Sequence, residues 1–342
     1  MSDTPWIDLA PLRSPDSQPI LGTTPEMLDE RKVKTHINRA ISGGRYTGPT
    51  DPLEYLHQKQ CLAVVDDVLC ATTAGILCFG REPQATFPRA VVDIGHYRGL
   101  ESVSYDVVHM EKDIGGTVFD QIQRVETYLW TNSHHGMTIG EDSIQRVEIH
   151  EYPRVVIREL VVNMLVHRDY ANFLSACRVH LFRNRIQWIS PGGLPPGITL
   201  QNILTAQASR NPVMMSILHE VGYVEAFGQG LDTVVTVLRQ ENMQPPLFED
   251  HNTFFNVTVA GRPLDVFYNG GGYGTLNERQ RRILSYIRAV GVTTPKDIMG
   301  IFDERITPRS IQRDLKQMLD AELIHADGKG RAVRYSIKDG MP

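Results

Sequence analysis

Cysteine is scarce in this sequence of 342 residues. The four cysteines, Cys61, Cys70, Cys78 and Cys177, form no Cys-x-x-Cys pair, and each lies among apolar neighbours. A disulfide framework or a cysteine-based zinc site needs paired or closely spaced cysteines, so this pattern argues against both. We therefore interpret the four thiols as reduced core residues of a cytoplasmic protein.

Long hydrophobic runs and a secretory signal are also missing. The longest apolar stretches are far shorter than the roughly 18 residues that a membrane-spanning helix needs, so no membrane contact is expected. An excess of positive charge is missing as well, because 35 Lys and Arg stand against 40 Asp and Glu, for a net charge of −5. The chain as a whole is therefore not a general polyanion binder.

The chain length and a hydrophobic content of 41% predict two to three domains with proper cores. Charge is unevenly distributed along them. From Leu276 to the C-terminus, 13 Lys and Arg stand against 9 Asp and Glu, a net charge of +4, which leaves −9 for the rest. A basic C-terminal module on an acidic body predicts local contact with nucleic acid.

One stretch, residues 158–170, combines a hydrophobic helix pattern with polar residues. Apolar side chains surround much of the predicted helix, which indicates that it is buried. Glu159, Asn163 and His167 nevertheless recur every four residues and lie on one face. Buried polar groups need partners. Either something polar lies against this stripe, or the helix is a core helix with a capped, polar C-terminus.

The spacing Glu159-x-x-x-Asn163 on a helix resembles the N-box of the GHKL ATPases, which include gyrase, Hsp90, histidine kinases and MutL. The longer pattern Glu-x-x-x-Asn-x-x-x-His-Arg-Asp-Tyr over residues 159–170 is similar to bacterial and archaeal proteins described as transcriptional regulators or "RecG-related" ATP-binding proteins. This resemblance covers roughly residues 53–261. It implies that Asn163 holds Mg²⁺ on the phosphates of ATP or ADP, and that Glu159 is a candidate general base.

Two glycine turns follow the helix. Gly192-Gly193 comes after a predicted β-hairpin, and Gly228-Gln229-Gly230 precedes a predicted helix, whose free N–H groups would suit a phosphate. The order of these motifs is similar to that of GHKL proteins, but Ser190 stands where they carry an adenine-binding Asp. The resemblance therefore does not extend to the adenine contact.

Residues 209–212 allow two readings. Asn211 as N-cap and Pro212 as first residue open a helix, or Arg210 binds a phosphate. The candidate nucleotide-binding residues are Glu159, Asn163, His167, Asp169, Gly192, Gly193, Arg210, Gly228 and Gly230.

Apolar spacing and turn residues predict further elements of the body. These are a helix over residues 25–41 with Thr24 as its N-cap, a strand hairpin over residues 61–69 and 74–79, a strand over residues 90–97, a helix over residues 117–131, a loop at His134-His135, a hairpin over residues 176–189 and a strand over residues 253–259.

The C-terminal module resembles a winged helix-turn-helix. Its predicted helices are residues 276–290, 294–302 and 307–321, and a two-stranded wing follows over residues 323–337. In the third helix, Ile311, Leu315, Met318 and Leu319 face the core, which leaves a polar and basic face. Arg and Gln read base edges and Lys and Arg bind phosphate. The candidate DNA-binding residues are Arg309, Ser310, Gln312, Arg313, Lys316, Lys329, Arg331 and Arg334. The alternative use of such a module is protein contact.

We therefore expect an α+β protein: a GHKL-like α/β sandwich with helices layered on a mixed sheet, followed by a winged helix-turn-helix domain. The expected parts are an N-terminal arm (1–24), an N-terminal α/β part (25–150), a nucleotide-binding region (151–262), a Gly-rich linker (263–275) and a DNA-binding domain (276–342). A strand typical of the AlbA-like domain that precedes the body in related proteins is not found, so DNA contact must come from elsewhere.

The leading functional hypothesis is a DNA-binding transcriptional regulator whose body binds a nucleotide, ATP or ADP with Mg²⁺, and mediates homodimerisation. A hypothesis from a different class is an ATPase that acts on double-stranded DNA or on a defence or mobile-element complex. A third is a body that serves only as a dimerisation scaffold.

Overall fold

The computed structural model describes residues 13–102, 106–139, 146–206, 208–224, 230–263, 278–302, 306–320, 323–328 and 333–337. Most of the predicted arm (1–12) and of the predicted linker (264–275) lies outside these residues. Internal contacts divide the chain into two units. The first consists of Met1–Ser133 and Tyr152–Gly261, and the second of His134–Glu151 and Arg262–Pro342.

Helices and strands alternate irregularly along the chain. The helices are α1 (Glu30–Ser42), α2 (Pro52–Gln58), α3 (Thr73–Phe79), α4 (Pro83–Thr86), α5 (Val118–Thr131), α6 (Arg154–Val166), α7 (Pro212–Glu220), α8 (Gly230–Gln240), α9 (Glu278–Val290), α10 (Pro295–Gly300) and α11 (Pro308–Asp320). The strands are β1 (Leu62–Val65), β2 (Val68–Ala71), β3 (Val92–Tyr97), β4 (Val107–Ile114), β5 (His135–Ile139), β6 (Arg146–His150), β7 (Cys177–Leu181), β8 (Arg185–Pro191), β9 (Leu247–Asp250), β10 (Phe254–Ala260), β11 (Val292–Thr293), β12 (Ile324–Asp327) and β13 (Arg334–Ile337).

A six-stranded mixed sheet in the order β4-β3-β7-β8-β10-β9 forms the centre of the first unit. Strands β3 and β7 are parallel, and the other neighbours are antiparallel. Alternate residues of these strands, such as Val179, Ile186 and Val257, share one core cluster with residues of α5, α6 and α8. Helices layered on a mixed sheet are the arrangement expected for the body, and the hairpin predicted over residues 176–189 is confirmed as β7 and β8.

The helix predicted over residues 25–41 begins later than expected. Pro25–Met27 is a separate turn of 3₁₀ helix, and the Thr24 side chain caps no backbone N–H there. Helix α1 starts at Glu30, where Asp29 accepts hydrogen bonds from the backbone N–H groups of Arg31 and Lys32. The helix starts at Glu30 because the Asp29 carboxylate binds two free N–H groups, which stabilises a helix start more than proline alone does.

The hairpin predicted over residues 61–69 and 74–79 is wrong in both parts. A turn at Asp66-Asp67 divides the first segment into β1 and the start of β2, and the second segment belongs to helix α3. The hydroxyl of Thr72 caps its start by accepting a hydrogen bond from the Gly75 N–H at 3.2 Å. All seven residues of the helix are buried. A short run that is apolar on every side carries no helical period, so its sequence cannot be distinguished from a buried strand.

The second unit contains a β-hairpin and a C-terminal helical module. His135 opens strand β5, which pairs with β6, so the loop predicted at His134-His135 is corrected for His135. Helices α9, α10 and α11 confirm the three predicted helices within a few residues at each end. They pack in one core cluster with a sheet in the order β11-β13-β12, of which β11 was not expected.

Helix α6 ends inside the first unit, and side chains from three other segments bind its last carbonyl groups. The Ser190 hydroxyl donates to the Met164 carbonyl at 2.8 Å, and the Tyr170 hydroxyl donates to the Leu165 carbonyl at 3.0 Å. The Asn211 amide donates to the carbonyls of Val166 at 2.7 Å and Arg168 at 2.8 Å. The last carbonyls of a helix lack partners within it, so these bonds make a buried helix end stable.

Helix α7 obtains its N-terminal partner from a distant residue. The side chain of Asn211, the predicted N-cap, makes no capping bond to α7 because it binds the end of α6. Instead, the fully buried carboxylate of Asp16 accepts a hydrogen bond from the Met214 N–H at 2.9 Å. Burial raises the pKa of Asp16, an effect that the bonds from Met214 and Ser14 oppose.

Among the described residues, no helix combines the length and hydropathy that crossing a bilayer requires.

Replacing Asn211 with alanine should lower the free energy of unfolding by about 1–3 kcal/mol, because two buried carbonyls lose their donor. Urea unfolding measures the difference. Asn132→Ala is the matched control, since its amide binds one helix-end carbonyl, that of Tyr128, in an exposed position. A loss no larger than that of the control would show that Asn211 does not hold the end of α6.

Candidate functional site

A cavity of about 300 Å³ lies between α6 and strands β8 and β10 of the first unit. This volume is at the lower end of the range for small-molecule sites. Apolar residues dominate its lining, among them Leu160, Met164, Trp188, Ile203, Leu231 and Val257. Polar groups come from α6, from the end of β8 and from the first turn of α8.

Two polar side chains of the predicted stripe reach this cavity. Asn163 and His167 stand one turn apart on α6, and both line it. No hydrogen bond joins the Asn163 amide or the His167 ring to any described residue, and both are partly buried. Since buried polar groups are normally paired, these two are available for a ligand that supplies oxygen atoms or a bound cation.

The Gly192-Gly193 turn lines the cavity, and its role there is steric. The Gly192 N–H donates to the Thr253 carbonyl at 2.8 Å and the Gly193 N–H donates to the Asn252 carbonyl at 3.0 Å. Neither N–H is therefore free for a phosphate. Gly192 has a φ of +96°, and a Cβ there would lie 2.5 Å from the Arg210 guanidinium, so only glycine fits.

Asp169 and Arg210 do not line the cavity, although both were candidates for nucleotide contact. One guanidinium nitrogen of Arg210 donates to the Gly193 carbonyl at 2.6 Å, and the other lies 3.5 Å from the Asp169 carboxylate. Both residues line a wider neighbouring groove of about 770 Å³, which also contains Phe87 and Phe173. These contacts hold the Gly192-Gly193 turn in place.

Glu159, the candidate general base, is buried beside the start of α8 and is not among the residues that line the cavity. A Cβ built on Gly230 would lie 3.2 Å from its Oε2 atom. Gly230 begins α8, whereas Gly228 lies outside the described residues. The predicted stripe therefore divides: Asn163 and His167 face the cavity, and Glu159 faces the helix next to it.

Besides Ser190, three lining residues with polar side-chain atoms, Trp188, Ser209 and Asp232, were not among the candidate nucleotide-binding residues. Trp188 comes from the interior of β8, and Asp232 comes from the first turn of α8. Trp188 is part of an ordinary alternating strand, so nothing in the sequence distinguishes it from a core residue. Asp232 follows the glycine turn by two residues, a position from which a helix N-terminus presents its side chains.

His167 is neutral in the folded protein. Burial lowers its pKa, and the positive charge of Arg210 lowers it further, to about 4. Asp232 is the one acidic side chain among the described lining residues, and no Lys or Arg is among them. A polyphosphate in this cavity would therefore need a bound cation such as Mg²⁺ to neutralise its charge.

The candidate DNA-binding residues of α11 are mostly exposed. Arg309, Gln312, Arg313 and Lys316 lie opposite the buried Ile311, Leu315 and Met318, as predicted. Ser310 is partly buried, and its hydroxyl lies 3.0 Å from the Thr307 hydroxyl. Its side chain therefore makes a contact within the first turn of α11. Arg334 is exposed on β13, whereas Lys329 and Arg331 lie outside the described residues.

Asp314 is the exception on α11, because it is fully buried and pairs with Arg279 of α9. This ion pair raises the pKa of Arg279. The pair connects α11 to α9 and so fixes the direction of the exposed face.

A family model described as "Putative ATP-dependent DNA helicase recG C-terminal" matches residues 175–259, about a quarter of the chain. The chain therefore contains an ATPase-like region of the RecG C-terminal type. The matched residues include β8, α7, α8 and β10, which surround the cavity, but not α6. No curated protein matches the chain significantly.

Among solved structures, the crystal structure of the DIP2311 protein from Corynebacterium diphtheriae is similar to this chain, with a TM-score of 0.59 and 18% sequence identity. The similarity covers 96% of this chain and 64% of that chain. At this identity, it shows a shared fold. The present chain thus spans 64% of the length of that protein.

The free energy of unfolding should fall as the pH decreases from about 6.5 to about 4, because the unfolded chain binds a proton at His167 that the folded protein does not. The contribution is on the order of 3 kcal/mol and is fully present above pH 6.5. His167→Gln should remove this part of the pH dependence, whereas His57→Gln, at an exposed position, should not. Urea unfolding across this range is the measurement, and a His167 ring that titrates near pH 6.5 by NMR would contradict the expectation.

Proposed function

We propose that this protein is a transcriptional regulator that binds ATP or ADP with Mg²⁺ in the cavity beside α6 and binds double-stranded DNA through its C-terminal module. The observation that carries the nucleotide part is the pair Asn163 and His167, two polar side chains without described partners in an otherwise apolar cavity. The ATPase-like match over residues 175–259 supports a nucleotide as the ligand.

The size and chemistry of the cavity agree with this proposal. An apolar slot suits a purine base, and an amide oxygen at its polar end suits Mg²⁺, which prefers oxygen ligands. In this proposal, Asn163 approaches the cation and the phosphates, and the neutral His167 donates one hydrogen bond to a phosphate oxygen. Gly192 and Gly193 let the ligand approach the backbone, and Gly230 begins α8, with Gly228 two positions before it in the sequence.

The exposed face of α11 carries the DNA part of the proposal. Three helices, a short first strand and a two-stranded hairpin occur in the order typical of a winged helix, in which the third helix enters the major groove. Arg309, Gln312, Arg313 and Lys316 occupy the exposed side of that helix. Lys329, Arg331 and Arg334 would then contact the phosphate backbone from the wing.

Homodimerisation belongs to the same proposal, because a two-fold dimer would present two modules to adjacent half-sites. The edge strand β4 supports it, since it exposes Val108 and Met110 at one end of the sheet. Sedimentation analysis that finds only monomers would remove this part.

The alternative, an ATPase that acts on DNA or on a partner complex, has less support. Its candidate base, Glu159, does not line the cavity, and no described Lys or Arg lines the cavity either. The measurement that decides between the two is phosphate release by wild-type protein and Glu159→Gln. Turnover that depends on Glu159 would favour the ATPase.

Asn163→Ala should weaken Mg-ATP and Mg-ADP binding by at least about tenfold, because the variant loses the only side-chain amide in the cavity lining that the structure describes. Calorimetric titration with Mg²⁺ and with EDTA measures the effect, and chelation should weaken binding to the wild type more than to the variant. Asn132→Ala serves as the control. Equal affinities of variant and wild type would refute the assignment of Asn163.

Arg313→Ala should cost about 1–3 kcal/mol on a DNA site selected from a random library, and it should change the sequence preference. The reason is that a guanidinium on the exposed face of α11 can reach base edges. Fluorescence anisotropy at two salt concentrations measures the loss against scrambled DNA.

Lys34→Ala is the matched control for Arg313→Ala, because it removes one positive charge from α1, far along the chain from the C-terminal module. Specific binding that survives deletion of residues 276–342 would place DNA recognition in the body and overturn this part of the proposal.

A further inference from the structure

The indole of Trp188 is an unexplained polar group in the cavity. Its side chain is 1% exposed and lines the cavity, and no described residue accepts a hydrogen bond from its N–H. A buried donor without an acceptor is destabilising, so such a group is rare unless a bound molecule completes it. The unpaired indole N–H of this lining residue is a donor that an acceptor on a bound ligand would complete.

The position of Trp188 defines which part of the ligand it meets. It precedes Ser190 by two residues on the same face of β8, which places it roughly 7 Å further from the Gly192-Gly193 turn. Its cross-strand partner Val257 and the α6 residue Leu160 line the cavity with it. This inner end is an apolar slot, at a distance from the polar end formed by Asn163 and His167.

The other polar side chains of the lining offer no charged acceptor near the inner end. The Ser190 hydroxyl already donates to the Met164 carbonyl, and the one described carboxylate of the lining, Asp232, is exposed on α8. An exocyclic amino group in the slot would thus find no charged acceptor among the described residues. The group that the slot offers without a partner is a donor.

We infer that Trp188 recognises the base of the bound nucleotide by donating its indole N–H to a ring nitrogen. This inference rests on the proposed nucleotide function and adds to it the way in which the base is read. The site selects a flat heterocycle with an acceptor at its inner edge.

The decisive experiment compares ATP with 1-deaza-, 3-deaza- and 7-deaza-ATP, each of which replaces one ring nitrogen by a C–H group of nearly the same shape. Calorimetric titration of the wild-type full chain with Mg²⁺ gives the affinities. One analogue should bind about 3- to 10-fold more weakly than ATP, the range expected for one hydrogen bond. Equal affinities for ATP and all three analogues would overturn the inference.

A variant tests whether Trp188 makes this bond. Trp188→Phe keeps an aromatic ring in the slot but removes the N–H, so it should bind ATP about 3- to 10-fold more weakly. The sensitive deaza analogue should lose nothing further in the variant, because the same bond is already absent. If the affinity losses from the variant and from the analogue simply add, the ring nitrogen accepts its hydrogen bond from a donor other than Trp188.

Trp130→Phe is the matched control, since Trp130 lies on α5 and does not line the cavity. If Trp188→Phe does not fold, the deaza series on the wild type still tests the inference, because equal affinities for all analogues overturn it. Wild-type protein that binds none of the nucleotides would refute the proposed function itself. Wild-type protein that binds ATP and every analogue equally would refute only the role of Trp188.

Discussion

The C-terminal end of α6 is the constraint on which the first unit depends. This helix is buried on nearly all sides and stops within the protein, so its final carbonyl groups cannot reach bulk water. Ser190, Tyr170 and Asn211 bind those carbonyls from β8, from the following loop and from the start of α7. One set of hydrogen bonds thus joins the helix to three neighbouring segments and fixes the cavity between them.

The same constraint limits what the cavity can do. Because the Ser190 hydroxyl is used to hold α6, it cannot also serve as a donor to a ligand. Burial lowers the pKa of His167, and the positive charge of Arg210, which binds the Gly193 carbonyl, lowers it further. Structural bonds occupy several groups that a simple motif reading assigns to a ligand, and they leave Asn163, His167 and Trp188 available.

Sequence periodicity predicted those elements whose two faces differ. The polar stripe of α6, the β7–β8 hairpin and the exposed face of α11 were all evident, because burial on one side leaves a regular pattern. Periodicity did not predict elements whose two faces are equally buried or equally exposed. Helix α3 is buried throughout, and edge strand β4 carries few buried residues, so neither has a clear period.

The sequence also could not predict hydrogen-bond and ion-pair partners that only the tertiary structure brings together. Asn211 occupies the N-cap position of α7, yet its amide binds α6, and the cap comes from Asp16. Asp314 lies within the polar helix α11, yet it is buried against Arg279. Glu159 shares its row with Asn163, but its carboxylate lies beside the start of α8 and is not part of the cavity lining. Each case depends on which segments meet in space, and spacing along one helix does not contain that information.

The Asp16–Met214 bond joins residues that are 198 positions apart in the chain. During synthesis, the ribosome releases Asp16 long before it has made the helix whose N-terminus needs that carboxylate. The loop that must close is long, and contacts of such separation form late and slowly. Helix α7 carries Met215 into the cavity lining. A nascent chain that ends before α7 therefore has no complete cavity, which couples ligand binding to the completion of the first unit.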